Sequence, residues 1–165
     1  MIQLILIAGA GQNVGKTTLA CQIIEKLAKN NDVTAIKIAG HHHPITNLQK
    51  VIFQSEGITV TEETNWDSNK DSSRFLKAGA KRSIFILTSD HKMGELANWL
   101  KLNMTGWVVC ESGLIGKYIQ PLKAIFVEGT SHEKGSTWEF PFVKTIMHNG
   151  AFQPTIEELL IDLRI

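Results

Sequence analysis

Residues 10–18 constrain the fold of this chain more than any other segment. Their sequence, AGQNVGKTT, matches the phosphate-binding loop pattern, with Ala10 in place of its usual first glycine. A loop of small residues exposes successive backbone N–H groups that can wrap an anion. Because such a loop must follow a buried strand and precede a helix, the segment predicts a strand–loop–helix unit.

The residues on either side of the loop meet this requirement. Residues 2–8 form an almost unbroken aliphatic run, which is typical of a strand buried on both faces of a parallel sheet. Apolar residues recur at helical spacing over 16–29, and residues 33–38 predict a second strand. The first forty residues therefore predict a strand–loop–helix–strand unit.

The rest of the chain continues this alternation. Strands are predicted at 58–61, 83–88, 107–110 and 123–127, with a weaker one at 142–147, and helices at 48–53 (short), 68–79, 92–102 and 155–163. The pattern predicts one α/β nucleotide-binding domain over residues 1–165, with the three-layer fold of P-loop NTPases and a mainly parallel sheet flanked by helices. Residues 40–66 are the least regular part and are predicted to be an insertion or a flexible segment.

Charge and cysteine content narrow the class of protein. Seventeen Lys and Arg residues against 16 Asp and Glu residues leave a net charge of +1, which argues against nucleic-acid or membrane-surface binding. The N-terminal apolar run is too short for a membrane span and has no basic lead-in. Cys21 and Cys110 lie far apart in apolar runs, as expected for reduced thiols. These features predict a cytoplasmic protein.

The chemistry of the loop assigns roles to its residues. Gly15 allows close backbone approach, and the helix that begins there directs its positive dipole end at the anion. Lys16 is expected to reach the β- and γ-phosphates, and the Thr17 hydroxyl to coordinate Mg²⁺. The predicted nucleotide-binding set is Gly11, Gln12, Asn13, Val14, Gly15, Lys16, Thr17 and Thr18.

A magnesium site at such a loop also needs an acidic residue at the end of a neighbouring strand. Glu111 and Glu128 each follow an aliphatic run, and Asp90 follows the strand predicted at 83–88. From the sequence pattern alone all three remain open, because strand ends are commonly polar. Asp71 opens a predicted helix, a position where an acidic residue needs no function.

Three consecutive histidines, His41–His43, follow the second predicted strand. Adjacent histidines on a loop converge poorly on one ion, and no partner with zinc-ligand spacing accompanies them. A place near the triphosphate is the better interpretation, because ligands bind beyond the carboxyl ends of parallel strands.

Several of these segments occur in a familiar order. The loop is followed by AIK and the histidines, then by KDS leading to KAGA at residues 70–80, and finally by VVCESG at 108–113. This order resembles the molybdopterin-guanine dinucleotide biosynthesis adapter family (MobB), small P-loop GTP-binding proteins of molybdenum-cofactor maturation. The similarity extends over about residues 2–128.

The resemblance implies a specific site and activity. Glu111 would be the strand-end acid that holds Mg²⁺ with Thr17, and Asp71 would act catalytically with Lys16 by orienting water. The protein would be a homodimer with weak GTPase activity that acts with a molybdopterin guanylyltransferase. GTP rather than ATP follows from the resemblance alone, because the sequence contains no clear guanine-reading motif.

Two other functions compete with this one. The chain could be an ATP-dependent small-molecule kinase or a ligase resembling dethiobiotin synthetase, in which Lys37 and the histidines would line an acceptor pocket. Few arginines are present, which counts against a kinase of the adenylate type. A pure interaction domain is the third possibility, against which the intact Gly15-Lys16-Thr17 argues.

Overall fold

The computed structural model describes residues 1–40, 49–129 and 142–163. Within these ranges the chain forms nine strands and four α-helices. The strands are β1 (Ile2–Gly9), β2 (Val33–Ala39), β3 (Gln49–Ser55), β4 (Ile58–Glu63), β5 (Arg82–Thr88), β6 (Gly106–Glu111), β7 (Lys123–Glu128), β8 (Val143–His148) and β9 (Ala151–Gln153). The helices are α1 (Lys16–Leu27), α2 (Asp71–Lys77), α3 (Met93–Asn103) and α4 (Ile156–Leu159), with 3₁₀ turns at Asp90–Lys92 and Ile115–Lys117.

All nine strands belong to one sheet in the order β3-β4-β5-β2-β6-β1-β7-β8-β9. The six central strands, from β5 to β8, pair in parallel. At both edges the pairing becomes antiparallel, between β3, β4 and β5 on one side and between β8 and β9 on the other. The protein therefore has an α/β fold with a mixed, mostly parallel sheet.

Helices cover both faces of this sheet and make two separate cores. Alternate side chains of β1 divide between them: Ile5 and Ile7 pack in one core with α1, α2 and α4, and Leu4 and Leu6 pack in the other with α3. Because β1 is buried on both faces, it needs apolar residues at almost every position, which explains its unbroken aliphatic sequence.

The sequence analysis located most of these elements. The strands predicted at 2–8, 33–38, 58–61, 83–88, 107–110, 123–127 and 142–147 are confirmed, as are the helices at 16–29, 68–79 and 92–102, with ends shifted by up to three residues. Gly79 follows α2 with a φ of 100°, a left-handed conformation that suits glycine and ends the helix.

The structure differs from the predicted secondary structure at three places. The short helix expected at 48–53 is the edge strand β3, whose pairing with β4 shifts register between Val51 and Phe53. This irregularity breaks the period-two pattern that would have indicated a strand. The last helix is much shorter than the predicted 155–163, and β9 was not predicted at all. The histidines His41–His43 lie outside the described residues.

Two further predictions concern the thiols and the membrane. Cys21 and Cys110 are free, and Cys110 is buried. Burial raises the pKa of Cys21 to about 11 and that of Cys110 further, so both stay protonated thiols at neutral pH. None of the helices in the described ranges is long and apolar enough to span a membrane.

The packing of α2 against the sheet gives a test of the fold. Phe75 is 1% exposed and belongs to the core that α1 also joins. We expect Phe75→Ala to lower the free energy of unfolding by about 3–5 kcal/mol, because it removes a buried aromatic ring and leaves a cavity. Urea denaturation measures this loss. Lys77→Ala, which changes an exposed residue of the same helix, is the control, and an equal loss in both variants would contradict the assigned packing.

Candidate functional site

A cleft of about 880 Å³ opens at the carboxyl ends of the central parallel strands. Ligands of parallel α/β sheets bind at this edge. The cleft is lined by Gln12, Asn13, Gly15, Lys16, Thr17, Thr18, Lys37, Asn69, Lys70, Asp71, Ser72, Arg74, Phe85, Glu111 and Met147. Six of the eight residues predicted to bind nucleotide are among them; Gly11 and Val14 are not.

The loop between β1 and α1 is held by close backbone packing. The Ala10 N–H donates to the Val127 carbonyl oxygen of β7 at 3.0 Å. Gly15 has a φ of 102°, and a Cβ added there would lie 2.2 Å from the terminal methyl carbon of Met147. A side chain at position 15 would therefore suffer both backbone strain and a collision. Glycine is required at this point for the loop to turn into α1.

Lys16 lies over the loop that precedes it. Its ammonium donates a hydrogen bond to the Gly11 carbonyl oxygen. Burial lowers the pKa of Lys16, and the positive charge of Lys37 lowers it further, while Glu111 and Asp71 act in the opposite direction. An anion bound in the loop would relieve the cost of holding this charge in a partly desolvated place.

Glu111 comes next to the loop because of the strand register. In the central sheet, β6 lies between β1 and β2, with Glu111 paired to Ile7 on one side and to Lys37 on the other. Its side chain is only 7% exposed. The Thr17 hydroxyl donates to Glu111 Oε2 at 2.8 Å, so a hydroxyl and a carboxylate meet at the start of α1.

Lys37 joins this carboxylate to a second one. Its ammonium lies 3.1 Å from Glu111 Oε1 and is also hydrogen bonded to Asp71 Oδ2. Burial by itself lowers the pKa of Lys37, but Glu111 and Asp71 outweigh this effect and raise it. Lys37 is therefore a fully charged cation between two acids.

Arg74 connects Asp71 back to α1. Its Nη1 lies 3.6 Å from Asp71 Oδ1, and its Nη2 lies 3.4 Å from the Thr18 hydroxyl oxygen. These contacts lead from Thr17 back to its neighbour in the chain, Thr18. We call the set the charged ring; its members are Thr17, Glu111, Lys37, Asp71, Arg74 and Thr18. The ring contains two acids and two cations, and all six of its residues line the cleft.

Of the three acids considered for the metal site, only Glu111 lines the cleft. Glu128 pairs instead with Lys144 at 2.9 Å, and Asp90 is an exposed residue of the 3₁₀ turn after β5. The structure also brings Lys16, Thr17 and Asp71 together, as predicted from the sequence.

The donor set beside the loop fits Mg²⁺, which binds proteins through one or two oxygen ligands and takes the rest from substrate phosphates and water. Glu111 and Thr17 provide a carboxylate and a hydroxyl in contact. Over the described part of the chain, no group of three or more His, Cys, Asp or Glu side chains is placed to hold a metal ion by itself.

Glu63 is a structural residue of the site that the sequence analysis missed. It is 4% exposed at the end of β4 and accepts hydrogen bonds from the Thr64 and Asn65 backbone N–H groups, at 3.1 and 2.9 Å, and from the Ser72 hydroxyl at 2.8 Å. These bonds hold the segment that leads into Asp71. A carboxylate after an alternating strand looks like any solvated strand end, so no sequence signal distinguishes it.

Met147 was also missed. It comes from β8, whose sequence pattern is weak, and reaches the cleft beside Gly15.

Comparison with known proteins adds no further assignment, because no family model, curated protein or solved structure matches the chain. The resemblance to the MobB family therefore stays a prediction.

The position of Lys37 between two acids predicts a pH-dependent contribution to stability. We expect Lys37→Met to lower the free energy of unfolding by about 2–3 kcal/mol at pH 7, because Glu111 is left buried without its cation. The pKa of Lys37 is raised on folding, so this contribution is complete below its ordinary value of 10.5 and is lost as pH rises beyond it. Urea denaturation of both proteins at a series of pH values measures the difference.

Lys81→Met is the matched control for this experiment. Lys81 also pairs with an aspartate, Asp32, but both side chains are exposed, at 64% and 76%. An exposed pair contributes about 0–1 kcal/mol. Equal losses in the two variants at pH 7 would show that Lys37 is not the buried counter-ion described above.

The hydrogen bonds of Glu63 predict the effect of neutralising it. We expect Glu63→Gln to lower the free energy of unfolding by about 1–3 kcal/mol. The glutamine NH₂ group would replace one carboxylate oxygen, so it could no longer accept a hydrogen bond from the donors on that side. Hydrogen exchange of the amides in residues 64–71 should accelerate in this variant. Glu62→Gln, on the same strand but paired with Arg82 at a more exposed position, should leave that segment protected. Unchanged exchange in Glu63→Gln would contradict this role.

Proposed function

We propose that this protein binds a nucleoside triphosphate with Mg²⁺ in the cleft and hydrolyses it slowly, as P-loop NTPases do. The observation that carries the proposal is the contact between the Thr17 hydroxyl and Glu111 Oε2 at 2.8 Å, directly after a loop that ends in Lys16. A hydroxyl at the start of a helix and an acid at the end of the adjacent strand are the two protein ligands that a nucleotide-bound Mg²⁺ needs.

The residues of the loop and of α1 would bind the phosphates. The first backbone N–H groups of α1 have no acceptor within the helix, so they would be available to an anion bound at its start. The Lys16 ammonium would exchange the Gly11 carbonyl for phosphate oxygens, because a charge-assisted bond to an anion is the stronger of the two. Mg²⁺, when bound by Thr17 and Glu111, would neutralise phosphate charge.

Asp71 is the residue placed to orient water. It lines the same cleft as Lys16, and its side chain is 32% exposed. Both of its oxygens have cationic neighbours, Lys37 and Arg74, which hold the carboxylate in place, and it can accept a hydrogen bond from water. Positioning the attacking water is the contribution that we assign to it.

The base and the cellular role come from the resemblance to the MobB family. On this ground we propose GTP as the nucleotide, a homodimer as the assembly and a molybdopterin guanylyltransferase as the partner. The chain would be an adapter of molybdenum-cofactor maturation whose nucleotide state controls that partner.

The second candidate is an ATP-dependent small-molecule kinase or a dethiobiotin-synthetase-like ligase. The observation that favours it is Lys37, a permanent cation inside the cleft that could also bind an anionic acceptor. In that case the acceptor would accelerate nucleotide turnover, and ATP would bind better than GTP.

Calorimetric titration with non-hydrolysable GTP and ATP analogues in the presence of Mg²⁺ tests the proposal. We expect GTP-analogue binding to weaken at least about a hundredfold in Lys16→Ala, because the variant loses a charge-assisted contact to the phosphates. Lys26→Ala is the matched control, since Lys26 lies on the same helix but pairs with Glu157 away from the cleft. Preference for ATP would favour the second candidate, and binding of neither nucleotide to the folded protein would refute both.

A further inference from the structure

Arg74 is the member of the charged ring with the weakest contacts. The guanidinium lies 3.6 Å from Asp71 and 3.4 Å from the Thr18 hydroxyl, both longer than the usual 2.7–3.2 Å or so of an N–H···O hydrogen bond. In contrast, Lys37 contacts both acids at close range. Arg74 can therefore exchange these partners for a stronger acceptor at little cost.

The contacts of Arg74 contribute little to holding α2 in place. That helix is anchored by Phe75 and Leu76, which are 1% and 4% exposed. The Arg74 side chain is 41% exposed, and an ion pair at such a position is worth only about 0–1 kcal/mol. Arg74 also lines the cleft, and its guanidinium reaches Thr18, another residue of the cleft lining.

The neighbour of Arg74 on α1 indicates which part of a nucleotide it would meet. Lys16 and Thr17 are assigned to the β- and γ-phosphates and their ion. Thr18 is the next residue along α1, and the backbone N–H groups of a loop of this kind hold the α- and β-phosphates. Arg74 Nη2 reaches the hydroxyl of this residue, and a guanidinium can donate two parallel hydrogen bonds to one phosphate group.

We propose that Arg74 is a nucleotide-binding residue that donates to the α- or β-phosphate beside Thr18. This inference rests on the function proposed above. The arginine supplies affinity for phosphates that diphosphates and triphosphates share, so it does not discriminate between them. Lys16 on one side and Arg74 on the other would then hold the phosphate chain from two elements, α1 and α2.

Titration of Arg74→Gln with GDP and with a non-hydrolysable GTP analogue tests this proposal. The glutamine removes the charge but keeps an N–H donor. We expect both ligands to bind about tenfold or more weakly, by the same factor, because a charge-assisted bond is lost in each complex. Arg74→Lys should recover part of the affinity, since it restores the charge without the planar fork. Lys77→Gln, which neutralises an exposed cation on the same helix, should bind both ligands like the wild type.

Each other result contradicts the proposal in a different way. Loss of affinity for the GTP analogue alone would place Arg74 at the γ-phosphate instead. Wild-type affinity in Arg74→Gln, or weaker binding that accompanies a lower melting temperature of the nucleotide-free protein, would make Arg74 a structural residue. If the wild-type protein binds no nucleotide, the proposed function fails first, and the inference fails with it.

Discussion

The register of three central strands determines the site. Because β6 lies between β1 and β2, Ile7, Glu111 and Lys37 stand side by side on neighbouring strands. The same pairing brings the end of β1, and with it the loop and α1, next to the buried carboxylate. A shift of one residue in either pairing would turn Glu111 or Lys37 to the opposite face of the sheet and separate it from Thr17.

The charged ring contains four ionisable side chains, one of which is the buried carboxylate of Glu111. Such groups are costly to desolvate, and each contacts a neighbour of opposite sign. Glu111 has a hydroxyl and an ammonium as partners, so the protein can fold with this acid in place before any ligand arrives. The ring itself is balanced, with two acids and two cations, and its cations lie in the cleft, where they can change partners.

Local patterns predict the elements of this fold better than they predict its contacts. The loop, α1 and the aliphatic strands were predictable, because each depends on the pattern of residues that are close together in the sequence. The loop pattern alone identified Lys16 and Thr17 as candidate site residues. Choosing Glu111 over Glu128 or Asp90 required either the resemblance or the strand order. The irregular edge strand β3 and the buried Glu63 depend on pairing and burial, which the sequence pattern does not contain. The role of Arg74 depends on how α2 packs beside α1, a relation between distant segments.

The distance along the chain between the members of the site has a consequence for how the protein folds. Thr17 and Glu111 are 94 residues apart, and Lys37 and Glu111 are 74 apart. Contacts of such separation require closure of long loops, so they form late and slowly compared with hairpins and helices. The edge hairpins β3–β4 and β8–β9 can form locally, whereas the site needs the parallel centre of the sheet to be complete. A growing or partly folded chain would therefore hold the loop sequence without a working site.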